Sequence, residues 1–487
     1  MIEIITKINS AVNNFVWGPV MLLLLVGTGV YLTARTGCIQ AAKFGYIMRN
    51  TVGSLFRRRE KRDKDAKNLT PFQAVTTALA GTVGTGNIAG VTGAIFAGGP
   101  GAVFWMWFAA FFGMFTKFAE IVLALKYRQV DENGVHYGGP MYYIEKGLGM
   151  KWLAVLFSLV AGFACFGIGN ISQSSEIAGA MEGLFGMSGL TTGVLLAVVV
   201  GIVVLGGVQR IGRVTSYMVP FMAIFYIVAG LAIIVLRISD VPAALASIFT
   251  QAFSLEPREI GGGVTGYTIM VSMQQGVARG VFSNEAGLGS APMAHAASDT
   301  QEPVEQGMWG VFEVFVDTFI VCTITALSVL ITGEWTSGAT NATLALNVFQ
   351  NNLGFFGTVF MTATMVIFSV TTSGGWYVYY EATLRHLAMN HPTVKKWLLR
   401  MFKYFYALPP FLLTLYLIHV GDLSIWTLVD ITSGIPTFIN VFVVLILSGT
   451  YFRLLKDYKA RYMNIGTLED KDMPLFYEDK KKLEKAE

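Results

Sequence analysis

The sequence predicts an all-α integral membrane protein with about eleven transmembrane helices. Of its 487 residues, 54% are hydrophobic and only 14% are charged, a composition far more apolar than that of a soluble globular protein. Apolar runs long enough to cross a bilayer recur along the chain, and basic residues concentrate in alternate loops between them. These observations define the fold class before any single motif is considered.

The first apolar run, Phe15 to Leu32, has the length of a full membrane span. Basic residues follow it, Arg35 and Lys43 among them, where a signal peptide would end in a small-residue cleavage site. We therefore expect a retained N-terminal helix. About ten further spans are expected, near residues 70–98, 101–125, 152–184, 188–208, 214–236, 263–283, 308–331, 352–384, 404–420 and 424–450.

The distribution of Lys and Arg predicts the orientation in the membrane. A basic run at 57–62 lies in the first loop, and later basic residues fall on the same side in alternate loops. We expect a multi-pass protein of the cell membrane with its N-terminus outside and its C-terminus in the cytoplasm. The net charge of +4 is small and this topology explains it, so nucleic acid is not an expected partner.

The three cysteines, Cys38, Cys165 and Cys322, lie far apart and mostly inside apolar runs. Their spacing matches neither a disulfide framework nor a metal site. The sequence contains no H-E-x-x-H and no G-x-S-x-G motif. We therefore expect no enzyme activity and no cofactor other than a coupling ion, while the oligomeric state stays open.

The spans after the first divide into two sets of five, and because five is odd the two sets have opposite orientations. A glycine-interrupted span opens each set, one near residue 70 and one near residue 263. Such paired interruptions are typical of secondary transporters built from inverted repeats. The predicted divisions are an N-terminal helix and basic loop (1–69), a first repeat (70–240), a second repeat (241–452) and a cytoplasmic tail, solvated and partly disordered (453–487).

The stretch from Thr70 to Pro100 contains Gly84-Thr85-Gly86-Asn87 at its centre, which predicts a broken transmembrane helix. The amides of Thr85 and Gly86 would begin the outer half-helix and favour a carboxylate. The carbonyls from Ala80 to Val83 would end the inner half and suit a hard cation such as Na⁺. Two alternatives are close helix packing by the glycines and a dinucleotide fingerprint, which lacks the required strand and acidic residue.

The second interrupted span is expected to break at Met273 to Gly276. Gln274 would then reach the substrate, and Met273 would shape the pocket for its side chain. A further polar interruption lies at Thr371-Thr372-Ser373, whose hydroxyls suit an oxygen shell around a cation, and Trp376 follows as a pocket wall. The alternative is that these hydroxyls bond back to carbonyls of their own helix.

Asn170 and Gln173 share one face of the span at 152–184, with Glu176 nearer its outer end. Uncharged amides at membrane depth suit an amino-acid ligand, although they also serve as contacts between helices. Glu313 and Asp317 are ionisable groups inside a span. We favour ion pairs with Arg279 or Lys117 over proton transport; Glu120 is interpreted in the same way, and His136 and His295 as ordinary loop histidines.

Several motifs resemble those of the alanine or glycine:cation symporter family, over about Phe15 to Tyr451. They are TPFQ at 70–73, GTGNIAG at 84–90, GGPGA at 98–102, GGPMYY at 138–143 and GVARGVFSNEAGLGSAP at 276–292. The resemblance implies a leucine-transporter-like fold of five plus five inverted repeats with one extra N-terminal helix. It also implies coupling of small neutral amino acids to Na⁺, or less often to H⁺.

By this resemblance the main sodium site corresponds to Ala80, Val83, Thr372 and Ser373, and Asn87 can bridge substrate and ion. The expected function is inward sodium-coupled symport of alanine or glycine by alternating access. Alternatives are sodium- or proton-coupled transport of serine or glutamine on the same fold, and an ion channel. The expected substrate-binding residues are Thr77, Thr85, Gly86, Asn87, Asn170, Gln173, Met273, Gln274, Thr372 and Trp376, and the expected sodium ligands are Ala80, Val83, Thr371, Thr372 and Ser373.

Overall fold

The computed structural model describes residues 16–56, 67–254, 269–408, 412, 425–468, 470 and 473–478. Nearly all of these residues are helical, which confirms the predicted all-α fold class. The helices are α1 Pro19–Thr36, α2 Ile39–Ala42, α3 Phe44–Asn50, α4 Pro71–Thr82, α5 Ala89–Gly98, α6 Gly101–Lys126, α7 Pro140–Leu148, α8 Lys151–Phe166, α9 Ser172–Phe185, α10 Gly189–Val204, α11 Gly207–Leu236, α12 Val241–Ala252, α13 Ile269–Asn284, α14 Ala291–His295, α15 Pro303–Val314, α16 Thr323–Thr332, α17 Asn341–Leu387, α18 Pro392–Phe405, α19 Ile425–Ile446 and α20 Ser448–Tyr462.

A short hairpin pairs β1 (Gln129–Val130) with β2 (His136–Tyr137), and Gly134 makes its turn with φ +78°. We call the end of the helix bundle that carries this hairpin and α20 the hairpin end. Within the described residues, seven helices are long and apolar enough to cross a membrane when α8–α9 and α15–α16 are each counted as one continuous helix, or eight when the bent pair α4–α5 counts as a further span. The shorter α10 and α13 occupy two more predicted spans. Most of the predicted span 404–420 lies outside the described residues, and so does all of the basic run 57–62.

The first predicted break is present between α4 and α5. A capping box begins α4, because Thr70 Oγ1 accepts the Gln73 amide and Gln73 Oε1 accepts the Thr70 amide, both at 3.0 Å. Helical geometry ends at Val83 (φ −79°, ψ 95°), and a 3₁₀ turn over Thr85–Asn87 leads into α5. The two halves are bent by 53°.

The second break is not where the sequence analysis placed it. α13 runs without interruption from Ile269 to Asn284, so the predicted break at Met273 to Gly276 is wrong. The chain leaves the helix after Asn284, with positive φ at Glu285 (56°), Gly287 (96°) and Gly289 (83°), before α14 begins. Glu120 on α6 holds this break, since its carboxylate accepts the Gly287 amide at 3.2 Å.

The two breaks face each other beside the central helix α6, which packs along α13 and α15. The long helix α17, interrupted at Gly354 (φ 62°), passes the first break and packs against α4, α8 and α9. The expectation of a solvated tail after 453 is wrong for its first part. α20 continues as a helix to Tyr462, and Phe476 further along is only 4% exposed.

Candidate functional site

The backbone at the first break presents two carbonyl oxygens to a cation. The Gly84 amide donates to Asn87 Oδ1 at 2.8 Å rather than to the Ala80 carbonyl, its partner in a continuous helix. The Asn87 amide likewise donates to the Gly84 carbonyl at 3.2 Å and bypasses that of Val83. Within the described chain, no backbone amide replaces these donors. The carbonyls of Ala80 and Val83 are therefore available as oxygen ligands.

A third oxygen comes from α17. Thr372 Oγ1 is buried and has no hydrogen-bond partner in the described part of the chain. It lies directly against the break, because a Cβ built on Gly84 would be 2.3 Å from it. A buried hydroxyl without a partner is costly, so its position beside the freed carbonyls suits the binding of a cation.

Unlike the hydroxyl of Thr372, the hydroxyls of the residues on either side of it are hydrogen-bonded. Ser373 Oγ donates to the Gly169 carbonyl at 2.8 Å, which leaves its lone pairs available to a cation. Thr371 Oγ1 instead donates to the carbonyls of Ile367 (2.8 Å) and Phe368 (2.9 Å) on its own helix. The alternative of back-bonding is therefore correct for Thr371, and the structure does not bring it to the break as a sodium ligand.

The side of the break that leads into α5 carries backbone amides available to a ligand. The amides of Thr85 and Gly86 begin the 3₁₀ turn, and no acceptor for them is present among the described residues. Thr85 Oγ1 donates to Gln173 Oε1 at 2.9 Å, which joins the break to α9. The Phe282 ring lies over Gly86, since a Cβ there would be 2.8 Å from the ring. The space beside these amides is therefore small.

A π-helical turn over Gly167–Ile171 joins α8 to α9. Asn170 lies in this turn, and its Oδ1 is buried without a partner among the described residues. Trp376 packs against Gly169 and donates from Nε1 to the Gly81 carbonyl at 3.2 Å. Gln173 and Trp376 thus contact the break directly, and Asn170 is next to Gly169, against which Trp376 packs.

Three predicted substrate contacts lie elsewhere. Thr77 is more than a turn before the break, and its hydroxyl donates to the Gln73 carbonyl at 2.7 Å. Met273 packs in the cluster around α1 and α13 near Trp105. Gln274 is on the same part of α13, about two turns before Phe282. The misplaced second break explains the error for Met273 and Gln274, and the actual residue facing Gly86 is Phe282.

A buried aspartate connects the two breaks. Asp317 Oδ1 accepts Asn87 Nδ2 at 2.6 Å from the first break, and Asp317 Oδ2 accepts Ser283 Oγ at 2.9 Å from the end of α13. Thr318 Oγ1 donates to the same carboxylate at 2.9 Å. The prediction that Asp317 pairs with Arg279 or Lys117 is wrong, because Arg279 forms its ion pair with Asp430 at 2.6 Å. Sequence reasoning missed Ser283, although it lies within the FSNEAG run of the strongest motif.

Lys117 is the centre of a second buried network. Its Nζ donates to Glu313 Oε1 at 2.6 Å and to the Asn284 carbonyl at 2.7 Å, and both charged side chains have no exposed surface. His295 Nε2 lies 3.2 Å from Glu313 Oε2, and its Nδ1 lies 2.8 Å from Gln306 Nε2. Of the two partners predicted for Glu313, Lys117 is confirmed and Arg279 is not. His295 is not an ordinary loop histidine, since it is completely buried.

Replacing Lys117 with methionine is expected to destabilise the protein by about 3–5 kcal/mol, because the Glu313 carboxylate would stay buried without its cation. The measurement is thermal unfolding of the purified protein in detergent. The double variant Lys117→Met/Glu313→Gln should recover much of this loss. Equal melting temperatures for Lys117→Met and the unmodified protein would contradict the assignment of a buried ion pair.

The region of the breaks has different surroundings at the two ends of the bundle. At the hairpin end, a cavity of about 470 Å³ is bordered by Leu69 before α4, by Met293 on α14 and by Val378 on α17. At the opposite end, Thr92 Oγ1 donates to the Asn341 carbonyl at 2.7 Å and closes α5 against the start of α17. A smaller cavity of about 160 Å³ lies at this opposite end, bordered by Glu176 and Asn341.

Two facing helix breaks at the centre of a membrane-spanning bundle define a secondary transporter, in which half-helix ends bind substrate and ion. The chain belongs to the sodium:alanine symporter family, whose model matches residues 2–471. It is 42% identical to an uncharacterized transporter of Haemophilus influenzae, over 94% of this chain and 97% of the relative. It is 41% identical to the sodium/alanine symporter AgcS of Methanococcus maripaludis, over 92% and 95% of the two chains.

A third relative is the probable sodium/glutamine symporter GlnT of Bacillus subtilis, 33% identical over 98% of this chain and 95% of that protein. Among solved structures, MhsT in complex with L-phenylalanine matches with a TM-score of 0.57 at 14% identity, over 81% of this chain and 90% of MhsT. The structural likeness supports the predicted leucine-transporter-like fold. The family membership supports a transporter and excludes the enzyme class, as the sequence analysis expected.

Proposed function

We propose that this protein is a sodium-coupled symporter that carries alanine or glycine into the cell by alternating access. The observation that carries the proposal is the chemistry of the first break. Carbonyls of Ala80 and Val83 and the unpartnered hydroxyl of Thr372 suit Na⁺. The free amides of Thr85 and Gly86 suit a carboxylate.

In this proposal Ser373 completes the sodium ligands, and Asn170 and Gln173 bind the substrate with Trp376 as a wall. Asn87 links the site to the second break through Asp317, at 2.6 Å. Thr77, Thr371, Met273 and Gln274 are not in the proposed set, for the geometric reasons given above.

The room beside Gly86 favours a small side chain on the substrate. Phe282 is 4% exposed and lies against both Gly86 and Gly90, so the ring leaves little space next to the carboxylate-binding amides. The glutamine named for the Bacillus subtilis relative is the second candidate, with serine, because an amide substrate could pair with Asn170 Oδ1.

The driving force suffices for uphill uptake. One charge moving through 100 mV contributes about 2.3 kcal/mol, and a tenfold Na⁺ gradient contributes about 1.4 kcal/mol. Their sum, roughly 3.7 kcal/mol, supports accumulation of several hundred-fold. We place the hairpin end in the cytoplasm and the N-terminus outside, since the basic loops lie at that end.

Purified protein in liposomes is expected to accumulate alanine and glycine above the external concentration when Na⁺ is present outside. Replacement of Na⁺ by K⁺ or choline should abolish this uptake, and an inside-negative potential should increase it. Competition by serine and glutamine ranks the substrates. Absence of Na⁺-dependent uptake for all four amino acids would refute the proposal, and flux only down the gradient would favour a channel.

A further inference from the structure

A short C-terminal segment, residues 473–478, is fastened to the hairpin end of α6; we call it the C-terminal strap. Lys126, the last residue of α6, donates from Nζ to the Pro474 carbonyl. Phe476 packs in a small cluster with Ile121 and Leu125 of the same helix. The strap is therefore docked by apolar burial and a charged hydrogen bond rather than left in solvent.

One guanidinium connects the strap to the chain that follows α14. Arg128 lies with its Cζ 3.8 Å from the centre of the Phe476 ring and forms an ion pair with Glu478 at 3.3 Å. The same group donates to the carbonyls of Ser298 (3.4 Å) and Thr300 (3.0 Å). Arg128 is only 3% exposed, so these contacts are shielded from solvent and stronger than surface contacts.

The segment that Arg128 binds is joined by backbone hydrogen bonds to the chain just before α4. The Leu69 amide donates to the Ala297 carbonyl at 3.0 Å, and the Asp299 amide donates to the Leu69 carbonyl at 2.8 Å. His136 of the hairpin adds a hydrogen bond from Nδ1 to the Ser298 carbonyl at 2.8 Å. Burial lowers the pKa of His136, so the ring is neutral at pH 7 and can donate from this nitrogen.

These contacts form a continuous path from the strap, through Arg128, to the start of the first interrupted segment and the end of the second. Leu69 and Ala297 also border the cavity at the hairpin end, as does Val378 across from them. Widening this cavity requires α4 or the segment after α14 to move away from α17. A restraint on Ser298 and Thr300 therefore opposes that movement.

We propose that the C-terminal strap is a latch that keeps the cavity at the hairpin end from widening, with Arg128 as the positioning residue that transmits its effect. The proposal rests on the alternating-access function proposed above. Release of the strap increases the population of molecules whose cavity is open from the hairpin end to the site. Release of the strap changes no residue that we assign to the substrate site or to the sodium site.

The test uses a cysteine that becomes reactive when the cavity widens. Val378→Cys is introduced with Cys38→Ser, since Val378 borders the cavity yet is only 4% exposed, and the remaining Cys165 and Cys322 are buried. The full-length protein in lipid nanodiscs is treated with a charged maleimide, and the labelling rate is measured. A version without the reporter cysteine gives the background.

Phe476→Ala is expected to raise the labelling rate roughly fivefold or more, the change that follows from a shift of about 1 kcal/mol. Glu478→Gln, which keeps the strap's shape and removes the ion pair, should give a smaller increase in the same direction. Phe56→Ala is the matched control, because Phe56 is 87% exposed and should leave the rate unchanged. Melting temperatures show whether each variant is folded.

Unchanged or slower labelling in both folded strap variants would overturn the latch. Arg128→Lys separates transmission from charge, since lysine keeps the cation but loses the planar group whose Nη1 binds the Ser298 and Thr300 carbonyls while Nε and Nη2 bind Glu478. Its labelling rate should rise like that of Phe476→Ala, and a rate equal to that of the parent would also contradict the proposal. Labelling requires neither substrate nor uptake, so failure of the latch and failure of the proposed transport are distinguishable.

Discussion

Replacing Thr372 with valine is expected to weaken Na⁺ activation of uptake by at least about tenfold, because one oxygen ligand worth roughly 1.4 kcal/mol or more disappears. Valine has nearly the shape of threonine, so packing against Gly84 is preserved. In the native chain the hydroxyl is buried beside the break and has no partner among the described residues, so its loss costs no hydrogen bond within this part of the protein. The measurement is the initial rate of alanine uptake into proteoliposomes as a function of Na⁺ concentration.

Thr371→Val supplies the matched control one residue away on α17. Its hydroxyl is bonded to the Ile367 and Phe368 carbonyls of its own helix, so its removal should change the Na⁺ dependence by less than about twofold. Equal effects of the two substitutions would indicate a general disturbance of α17. An unchanged Na⁺ dependence in Thr372→Val would contradict its role as a ligand.

The first break was predictable because its causes are local. Thr70 and Gln73 cap the inner half-helix, and the glycines on either side of Thr85 weaken helical continuation. The side chain of Asn87 then captures the Gly84 amide three residues earlier. Each of these interactions lies within about one helical turn, which is the distance over which a sequence can be interpreted without knowledge of the fold.

The second break was misplaced because a glycine can serve packing as well as backbone freedom. A Cβ on Gly276 would lie 2.2 Å from the Ala102 carbonyl, and one on Gly280 would lie 3.3 Å from Met106 Cγ. These two glycines therefore permit the close approach of α13 to α6 within a continuous helix. The break begins at Glu285, whose positive φ of 56° the sequence does not reveal.

The partners of the buried charges were also predictable only in part. Charge alone narrowed the partner of Glu313 to Lys117 or Arg279, since an ionisable group inside a span requires a partner. The partners of Asp317 could not, because Asn87 is 230 residues away and Ser283 is 34 residues away along the chain. Only the folded arrangement of the two breaks brings these donors to one carboxylate. Only the folded structure shows that Arg279 forms its ion pair with Asp430.

Asp317→Ala is therefore expected to abolish sodium-dependent uptake and to lower the free energy of unfolding by about 3 kcal/mol or more. Three buried donors, Asn87 Nδ2, Ser283 Oγ and Thr318 Oγ1, lose this acceptor, and each unsatisfied group costs about 1–3 kcal/mol. The connection between the two breaks is lost with them. Uptake in proteoliposomes and thermal unfolding in detergent measure the two effects separately.

Asp317→Asn separates hydrogen bonding from charge. The amide oxygen can still accept Asn87 Nδ2, and the hydroxyls of Ser283 and Thr318 can rotate to accept from the new amide. Stability should then return to within about 1 kcal/mol of the native value, consistent with an isosteric exchange that keeps partners for both sides. If Asp317→Asn keeps full stability and full uptake, Asp317 has a purely structural role in joining the breaks. If this variant keeps full stability but loses uptake, transport requires the negative charge of Asp317. Normal uptake in Asp317→Ala would contradict the coupling of the breaks through this residue.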